Sequence, residues 1–435
     1  MNGTTTSTQP RAALLRDRNF TWLMSGGAIS ALGDQFTMIA LPWLVLKLTG
    51  DPVALGMAVA LMGIPRAILI LFGGALVDRY SPKRILMLTK HANTVLLALL
   101  VLLVWSGQAR LPVVLALALG LSLASAFSIP AGTSMLPHAV APQYLQAANS
   151  MMMALRQVTM LAGPLLAGLL FALAGDGSDG PRHMRGLALA FGVDCVSFAV
   201  SAWTLARVVP RPFTPAAPQP VLRSVADGLA AMWRDTLLRT CFIYWGLCAC
   251  VIGGVMQVAL PLLASNRLHG AATLGLLMGA HGAGALLGMA ASSIAGRRYA
   301  GNLGMTLLLI DGLAGLLLVP LGAITASWQG VLINVTIGVL GGFVQVAVFT
   351  WIQQRVPRAM LGRTMSLFMF NFMGLAPLAA AVAGWIAARV ALPVLFAGAG
   401  LGLTGTALLA WLFTPMRTMR DAPAKAVAEP PLSSA

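Results

Sequence analysis

Charge is what this sequence has least of. Only 9% of its 435 residues are Asp, Glu, Lys or Arg, whereas an ordinary soluble chain carries about a quarter. With 58% hydrophobic residues and a mean hydropathy of +0.84, this excludes an ordinary soluble protein, whose helices need polar outer faces. Cysteine is nearly as scarce. Cys195, Cys241, Cys248 and Cys250 all fall in apolar stretches, and the two-residue step between the last pair is no metal-ligand spacing. Disulfides and zinc are therefore not expected. The chain also lacks a Gly-x-x-x-x-Gly-Lys-Ser/Thr loop, a metal cluster and a large soluble domain. Nucleotide-driven transport, catalysis and a bound cofactor are not implied. Nor is a cleavable leader expected, because residues 1–19 are polar and basic and the first apolar run is too long for a signal segment.

What the sequence does have is apolar runs of about 20 residues, the length that crosses a bilayer core about 30 Å thick. Twelve are predicted. The first six run over Phe20–Leu46, Val53–Val77, Ile85–Trp105, Leu111–Ile129, Met151–Leu173 and Leu187–Leu205. The second six cover Thr240–Leu263, Thr273–Ile294, Leu303–Ile324, Gly330–Ile352, Met365–Ala387 and Leu392–Phe413. The expected organisation is a polar segment 1–19, a six-helix bundle 20–208, a linker 209–239, a second bundle 240–414 and a disordered tail 415–435. The linker opens with a proline-rich run from Pro210 to Pro220, which favours extended chain. Behind it, Val221–Thr240 is predicted as an amphipathic helix at the membrane surface.

The net charge of +16 would suggest nucleic acid in a soluble protein. Here the cations sit in short loops, and nucleic acid is not an expected partner. Of the 28 Lys and Arg, six (Lys47, Arg110, Arg182, Arg185, Arg267 and Arg389) fall on one side, and Arg66 and Arg156 fall within spans. The remaining 20, Lys90 among them, fall on the side of the termini. That asymmetry predicts both termini in the cytoplasm.

The halves repeat at an offset of 219. Ala40-Leu41-Pro42 recurs as Ala259-Leu260-Pro261, Leu55-Gly56 as Leu274-Gly275, Gly63 as Gly282 and Arg79 as Arg298. Ala162-Gly163-Pro164 has a looser counterpart in Leu375-Ala376-Pro377. Two parallel six-helix halves imply a cavity between them. Positions kept in both halves are read as scaffold, and positions polar in one half only as candidates for function. Asp34, Arg66 and Asp78 align with Gly253, Ala285 and Arg297, so all three are asymmetric.

Between spans two and three the chain reads Gly74-Ala-Leu-Val-Asp78-Arg79-Tyr-Ser-Pro-Lys83-Arg84. This resembles the loop signature Gly-x-x-x-Asp-Arg/Lys-x-Gly-x-Arg/Lys-Arg/Lys of the major facilitator superfamily, with Ser81 in place of the second glycine. The resemblance implies an all-α membrane fold of twelve helices, in which Gly74, Asp78, Arg79, Lys83 and Arg84 would clamp one face and control the inward–outward switch. Ser30-Ala-Leu-Gly-Asp34, Gln354-Arg-Val-Pro357, Gly362-Arg363-Thr-Met-Ser366 and Ala376-Pro377 resemble the branch containing enterobactin exporters and macrolide efflux proteins. That likeness implies a monomer in the bacterial cytoplasmic membrane, exporting a small amphipathic, drug-like or siderophore-like molecule at the expense of a proton gradient. An importer on the same fold, or a non-transporting membrane sensor, are the alternatives. Gly163, Pro164 and Gly168 resemble a reduced exporter motif, and are equally read as a kink and a packing face.

Charges within spans are the strongest site signal that does not depend on a family, because an ionised residue at mid-bilayer costs about 2.5–3.5 kcal/mol. Asp34, Arg66 and Arg156 all fall near mid-span. Asp34 shares a helix face with Ser30 and Thr37, and a pair with an arginine that breaks on proton uptake would be a coupling device. Asp194 and Asp311 are further candidates on spans that the resemblance places at the periphery. Ser122, Ser125, Gln257, Gln345, Phe349 and Asn371 are candidate substrate contacts.

Overall fold

A computed structural model of the chain describes residues 14–175, 184–211, 229–230, 232–268, 270–295, 302–356 and 358–419, with backbone alone at 70–79, 294–295, 358–359, 361–363, 366 and 372. Among the described residues there is no strand, and twelve helices are long and apolar enough to cross a membrane. They are α1 (Arg18–Thr49), α2 (Pro52–Arg79), α3 (Pro82–Trp105), α4 (Leu111–Ala139), α5 (Leu145–Ala174), α6 (Arg185–Arg207), α7 (Thr236–Asn266), α8 (Ala271–Ala295), α9 (Leu303–Leu321), α10 (Ser327–Arg355), α11 (Arg358–Ala387) and α12 (Leu392–Phe413). An even number of crossings brings both termini to one end, the terminal end; the other is the far end.

The helix starts explain where the spans lie. Asp17 caps α1, accepting hydrogen bonds from the amides of Asn19 (2.8 Å) and Phe20 (3.2 Å). Asp235 caps α7 in the same way, from Leu237 (3.0 Å) and Leu238 (3.1 Å). Each cap satisfies amides that the first helical turn leaves without partners. The two aspartates stand within one residue of the repeat offset, a correspondence that apolar patterning does not reveal. Asp235 also ends the short helical stretch before it, so α7 starts at Thr236 rather than Thr240. Most of the predicted surface helix and of the proline run lies outside the described residues. The tail departs from expectation through residue 419: Met416 and Met419 are fully buried, and the Gly304 amide donates to the Met419 carbonyl at 3.0 Å.

The repeat positions turn out to be the seams between halves. Helix α2 packs on α11, and α5 packs on α8. A Cβ at Gly275 would lie 2.6 Å from both the Gly168 Cα and the Pro164 carbonyl oxygen, so the two backbones touch because neither residue has a side chain. Gly56, the repeat mate of Gly275, does the same in the other seam, 3.0 Å from a Cβ built on Gly384. Gly63 packs on Pro377, and its mate Gly282 packs on Met160. Gly163 faces Gln35 of α1 instead. The predicted kink and packing motif is thus divided between two interfaces.

These seams are confined in depth. At the far end one apolar core draws on both halves, from Phe36, Trp43, Phe171 and Phe191 to Leu260, Leu263, Leu318 and Phe396. Leu46, Leu55, Val59, Val258, Leu262 and Ala380 add a second shared cluster there. Towards the terminal end the cores separate. Phe20, Leu23, Met135 and Leu205 pack within the first half, and Leu238, Trp245, Trp351 and Phe368 within the second.

Replacing Gly275 by alanine sets a methyl against backbone on two sides, an overpacking that costs about 1–3 kcal/mol. Gly398 on α12 has open space where its methyl would go. Gly275→Ala is therefore expected to lower the thermal unfolding temperature of the detergent-solubilised protein, and Gly398→Ala to leave it unchanged or higher.

Candidate functional site

Six charged residues lie well inside the spans: Asp34, Asp194 and Asp311, and Arg66, Lys90 and Arg156. Four of them converge in the first half. Asp34 is midway along α1 and yet exposed. Lys90 on α3, only 5% exposed, lies behind it. Its ammonium donates to the Ser30 hydroxyl at 3.2 Å and sits 5.5 Å over the Phe198 ring. Asp194 on α6, 1% exposed, accepts hydrogen bonds from Thr37 (2.5 Å) and Ser197 (3.1 Å). Ser30 stands one turn before Asp34, and Phe198 one turn after Asp194, so Lys90 is set beside both carboxylates. Arg66 is half-buried on α2. Among the described residues no cation touches Asp34 directly. The expected pair of Asp34 with an arginine is therefore not formed as a direct contact.

One of these placements corrects the sequence reading. Lys90 was expected among the loop cations, but α3 starts at Pro82, so this lysine stands on the third helical turn. Its position inside the apolar run Ile85–Trp105 was the available signal. Asp194, a candidate on a span that the resemblance places at the periphery, is tied by Thr37 to the same helix that presents Asp34. Ser201 extends the polar layer, donating to the Gly26 carbonyl at 2.6 Å. Helices α1, α3 and α6 therefore meet through a buried polar stratum rather than through apolar side chains alone.

Arg156 is exposed on α5, on the face between the residues that pack on α1 (Met152, Gly163) and those that pack on α8 (Gln157, Pro164, Gly168). In the second half Asp311 is buried and accepts a hydrogen bond from the Tyr244 hydroxyl at 2.8 Å, joining α9 to α7. Gln257 and Gln345 are exposed, and Ser125 and Phe349 are half-buried. Ser122 and Asn371 depart from expectation. Ser122 donates to the Met62 carbonyl of α2 at 2.8 Å, and Asn371 to the Phe242 carbonyl of α7 at 2.9 Å. Both side chains are used in helix packing instead of facing a cavity. Sequence reasoning missed a further feature, the π-helical turn Ala249–Gly254 of α7. It contains Gly253, the repeat mate of Asp34, and such turns recur at functional sites.

At the terminal end, the side chains of Gly74, Asp78 and Arg79 lie outside the described residues. Lys83 donates to the carbonyls of Ala206 (3.1 Å) and Val208 (2.7 Å), satisfying the end of α6, and Arg84 is exposed. In the second half Arg355 grips Asp235 with two hydrogen bonds, of 2.8 and 3.0 Å, joining the end of α10 to the start of α7. Partial burial pushes the Asp235 carboxyl up, but Arg355 and the amides of Leu238 and Leu237 outweigh it and hold the group below the usual aspartate value.

A sequence profile of the Major Facilitator Superfamily matches residues 23–381. The chain belongs to that superfamily. Among its relatives, the multidrug efflux pump Tap of Mycobacterium tuberculosis is 29% identical over 218 residues, 49% of this chain and 50% of the pump, so the match spans about half the pump's length. The enterobactin exporter EntS of Escherichia coli is 25% identical over 397 residues, 90% of each chain. The solved nucleoside transporter NupG aligns with a TM-score of 0.70 at 14% identity (89% of this chain, 99% of that one). A D-xylose–proton symporter aligns with a TM-score of 0.67 at 13% identity (92% and 98%). The chain is thus an integral membrane protein of that superfamily, and the two solved structures share its fold.

The Asp235–Arg355 pair is one-third exposed on each side, and such pairs contribute about 0–1 kcal/mol. Because Asp235 is held below its ordinary value, the stabilisation is present above the unfolded aspartate value of about 3.9 and is lost as pH falls through the lower, folded one. Arg355→Ala is expected to unfold slightly earlier than the wild type at neutral pH, with the gap closing in strong acid.

Proposed function

We propose that this transporter exports a small amphipathic, drug-like or siderophore-like molecule in exchange for protons, by alternating access. The observation that carries the reading is Asp34: an exposed carboxylate midway through a spanning helix, backed by buried Lys90 and flanked by Arg66. A carboxylate so placed stays charged only while those cations balance it. Protonation removes the attraction, and the packing of α1 against α2 changes with it. The efflux relatives support the direction of transport.

The cation excess at the terminal end, Lys90 removed, supports both termini in the cytoplasm of a bacterial cell. The shared far-end core and the separate terminal-end cores then describe a state closed outside and open inside. The bundles 20–208 and 240–414 would rock about the α2–α11 and α5–α8 seams, carried by one chain acting as a monomer. Asp78 and Arg79 would clamp the cytoplasmic face in the opposite state. Gln257, Gln345, Phe349, Ser125 and Arg156 would line the substrate's path.

Proteoliposomes loaded with a pH dye test the reading against three probes: ethidium, tetracycline and a tricatecholate siderophore. At least one is expected to accumulate against its gradient when a pH difference is imposed, with protons moving in the opposite sense. Asp34→Asn is expected to cut that accumulation by about tenfold or more. Equal accumulation with the pH difference collapsed, or full coupling in Asp34→Asn, contradicts the mechanism. Proton and probe moving in the same direction makes the chain an importer instead.

A further inference from the structure

The buried stratum behind Asp34 holds an uneven set of charges: two carboxylates, Asp34 and Asp194, and one ammonium, Lys90. The ammonium is fixed in place on two sides: Ser30 accepts its hydrogen bond at 3.2 Å, and the Phe198 ring lies beneath it at 5.5 Å. Ser30 stands one turn before Asp34 on α1 and Phe198 one turn after Asp194 on α6, so the ammonium lies between the two carboxylates. Asp194 is fixed more firmly still by Thr37 and Ser197, and its carboxylate reaches no water. The charged groups around Asp34 differ in what they can do. Arg66 (α2) is half-buried; Lys90 (α3) and Asp194 (α6) are buried; Arg156 on α5 is exposed, and among the described residues no interaction joins it to Asp34.

From this geometry we infer that Lys90 is the internal counter-ion of the transport cycle, shared between Asp34 and Asp194 and passed wholly to Asp194 when Asp34 takes up its proton. This rests on the proton-coupled reading of Asp34 given above. The consequence is electrostatic. Hydrogen bonds from Lys90 to Ser30, Thr37 to Asp194 and Ser201 to Gly26 hold α1, α3 and α6 together whatever the state of Asp34. After proton uptake the attraction between Lys90 and the Asp34 carboxylate is gone, while that between Lys90 and Asp194 persists. The three helices then move as one unit, and α1 carries Leu46 of that unit into the far-end cluster shared by the two halves. The proton enters and leaves at Asp34, the exposed carboxylate of the two, and Asp194 anchors the lysine. Lys90 is a positioning residue, touching the coupling carboxylate's environment and not the substrate. A buried ammonium without this role would be a costly way to join three helices, since apolar groups of similar volume do so at no loss.

The test separates exchange from driven transport, using whichever of the three probes the wild type accumulates. Counterflow, in which internal and external probe exchange with no gradient imposed, needs the bundles to rock but needs no net proton movement. Lys90→Met is expected to keep counterflow within about threefold of wild type while losing about tenfold or more of pH-driven accumulation. Lys90→Arg, which keeps the charge, is expected to retain driven accumulation. The charge-balanced pair Lys90→Met/Asp194→Asn covers the case in which the single variant fails to fold. It is expected to restore counterflow but not driven accumulation. Wild-type driven accumulation in Lys90→Met, or in the folded pair, overturns the inference and leaves the Asp34 reading standing. Equal loss of counterflow and driven accumulation in the folded pair assigns Lys90 a structural role only, and overturns it as well. Absence of any driven accumulation in the wild type overturns the Asp34 reading and this inference with it.

Discussion

A charge that leaves water for the interior of a membrane protein must be balanced there by another, and this constraint organises the first half of the molecule. Lys90 is held on α3 by the Ser30 hydroxyl and the Phe198 ring, with the Asp34 and Asp194 carboxylates one helical turn beyond them to balance its charge. Asp194 in turn depends on Thr37, Ser197 and that lysine. Removing any member leaves the others unpaired in a low dielectric. The second half meets the same constraint with fewer charges: its buried Asp311 is joined to a tyrosine hydroxyl. The two halves therefore share a scaffold and differ in electrostatics.

The scaffold itself depends on backbone contact. Lipid gives helices no hydrophobic reason to associate, so close packing must supply it. Gly56 and Gly275, one repeat apart, occupy the two inter-half seams and let α2 approach α11 and α8 approach α5. Both seams lead to the core shared at the far end, while the terminal ends keep cores of their own. A pair of bundles hinged in this way can separate at one end without disturbing the interior of either. Opposite Asp34 in the repeat stands the π-helical turn of α7, which packs against α11. The two halves thus place their irregular features, a charge in one and a backbone distortion in the other, at matching depth.

Much of this could be read from the sequence, and the reasons for the remainder are physical. Span number follows from apolar length, and all twelve predicted runs are helices. The repeat glycines were read as scaffold, and they are the seams. Asp34 stood out because a carboxylate in an apolar run is costly wherever it points. Facing was a different matter. These helices are apolar nearly all round, so no amphipathic stripe says which side of α4 carries Ser122 or which side of α11 carries Asn371; both proved to be packing contacts. Lys90 was misplaced because a cation close to a loop is read as a loop cation. The link from Thr37 to Asp194 joins residues 157 apart in sequence, and only helix packing brings them together.

The central claim is that the protonation of one carboxylate on α1 biases two bundles between states that differ at their terminal ends. Spin labels at Gln143, before α5, and Gln354, at the end of α10, are exposed on opposite halves of that end and report its opening once the four native cysteines are replaced. The distance distribution is expected to shift between two populations as pH changes in the wild type, and to stay fixed in Asp34→Asn. A distribution that ignores pH in both, or that shifts equally in both, would contradict the account.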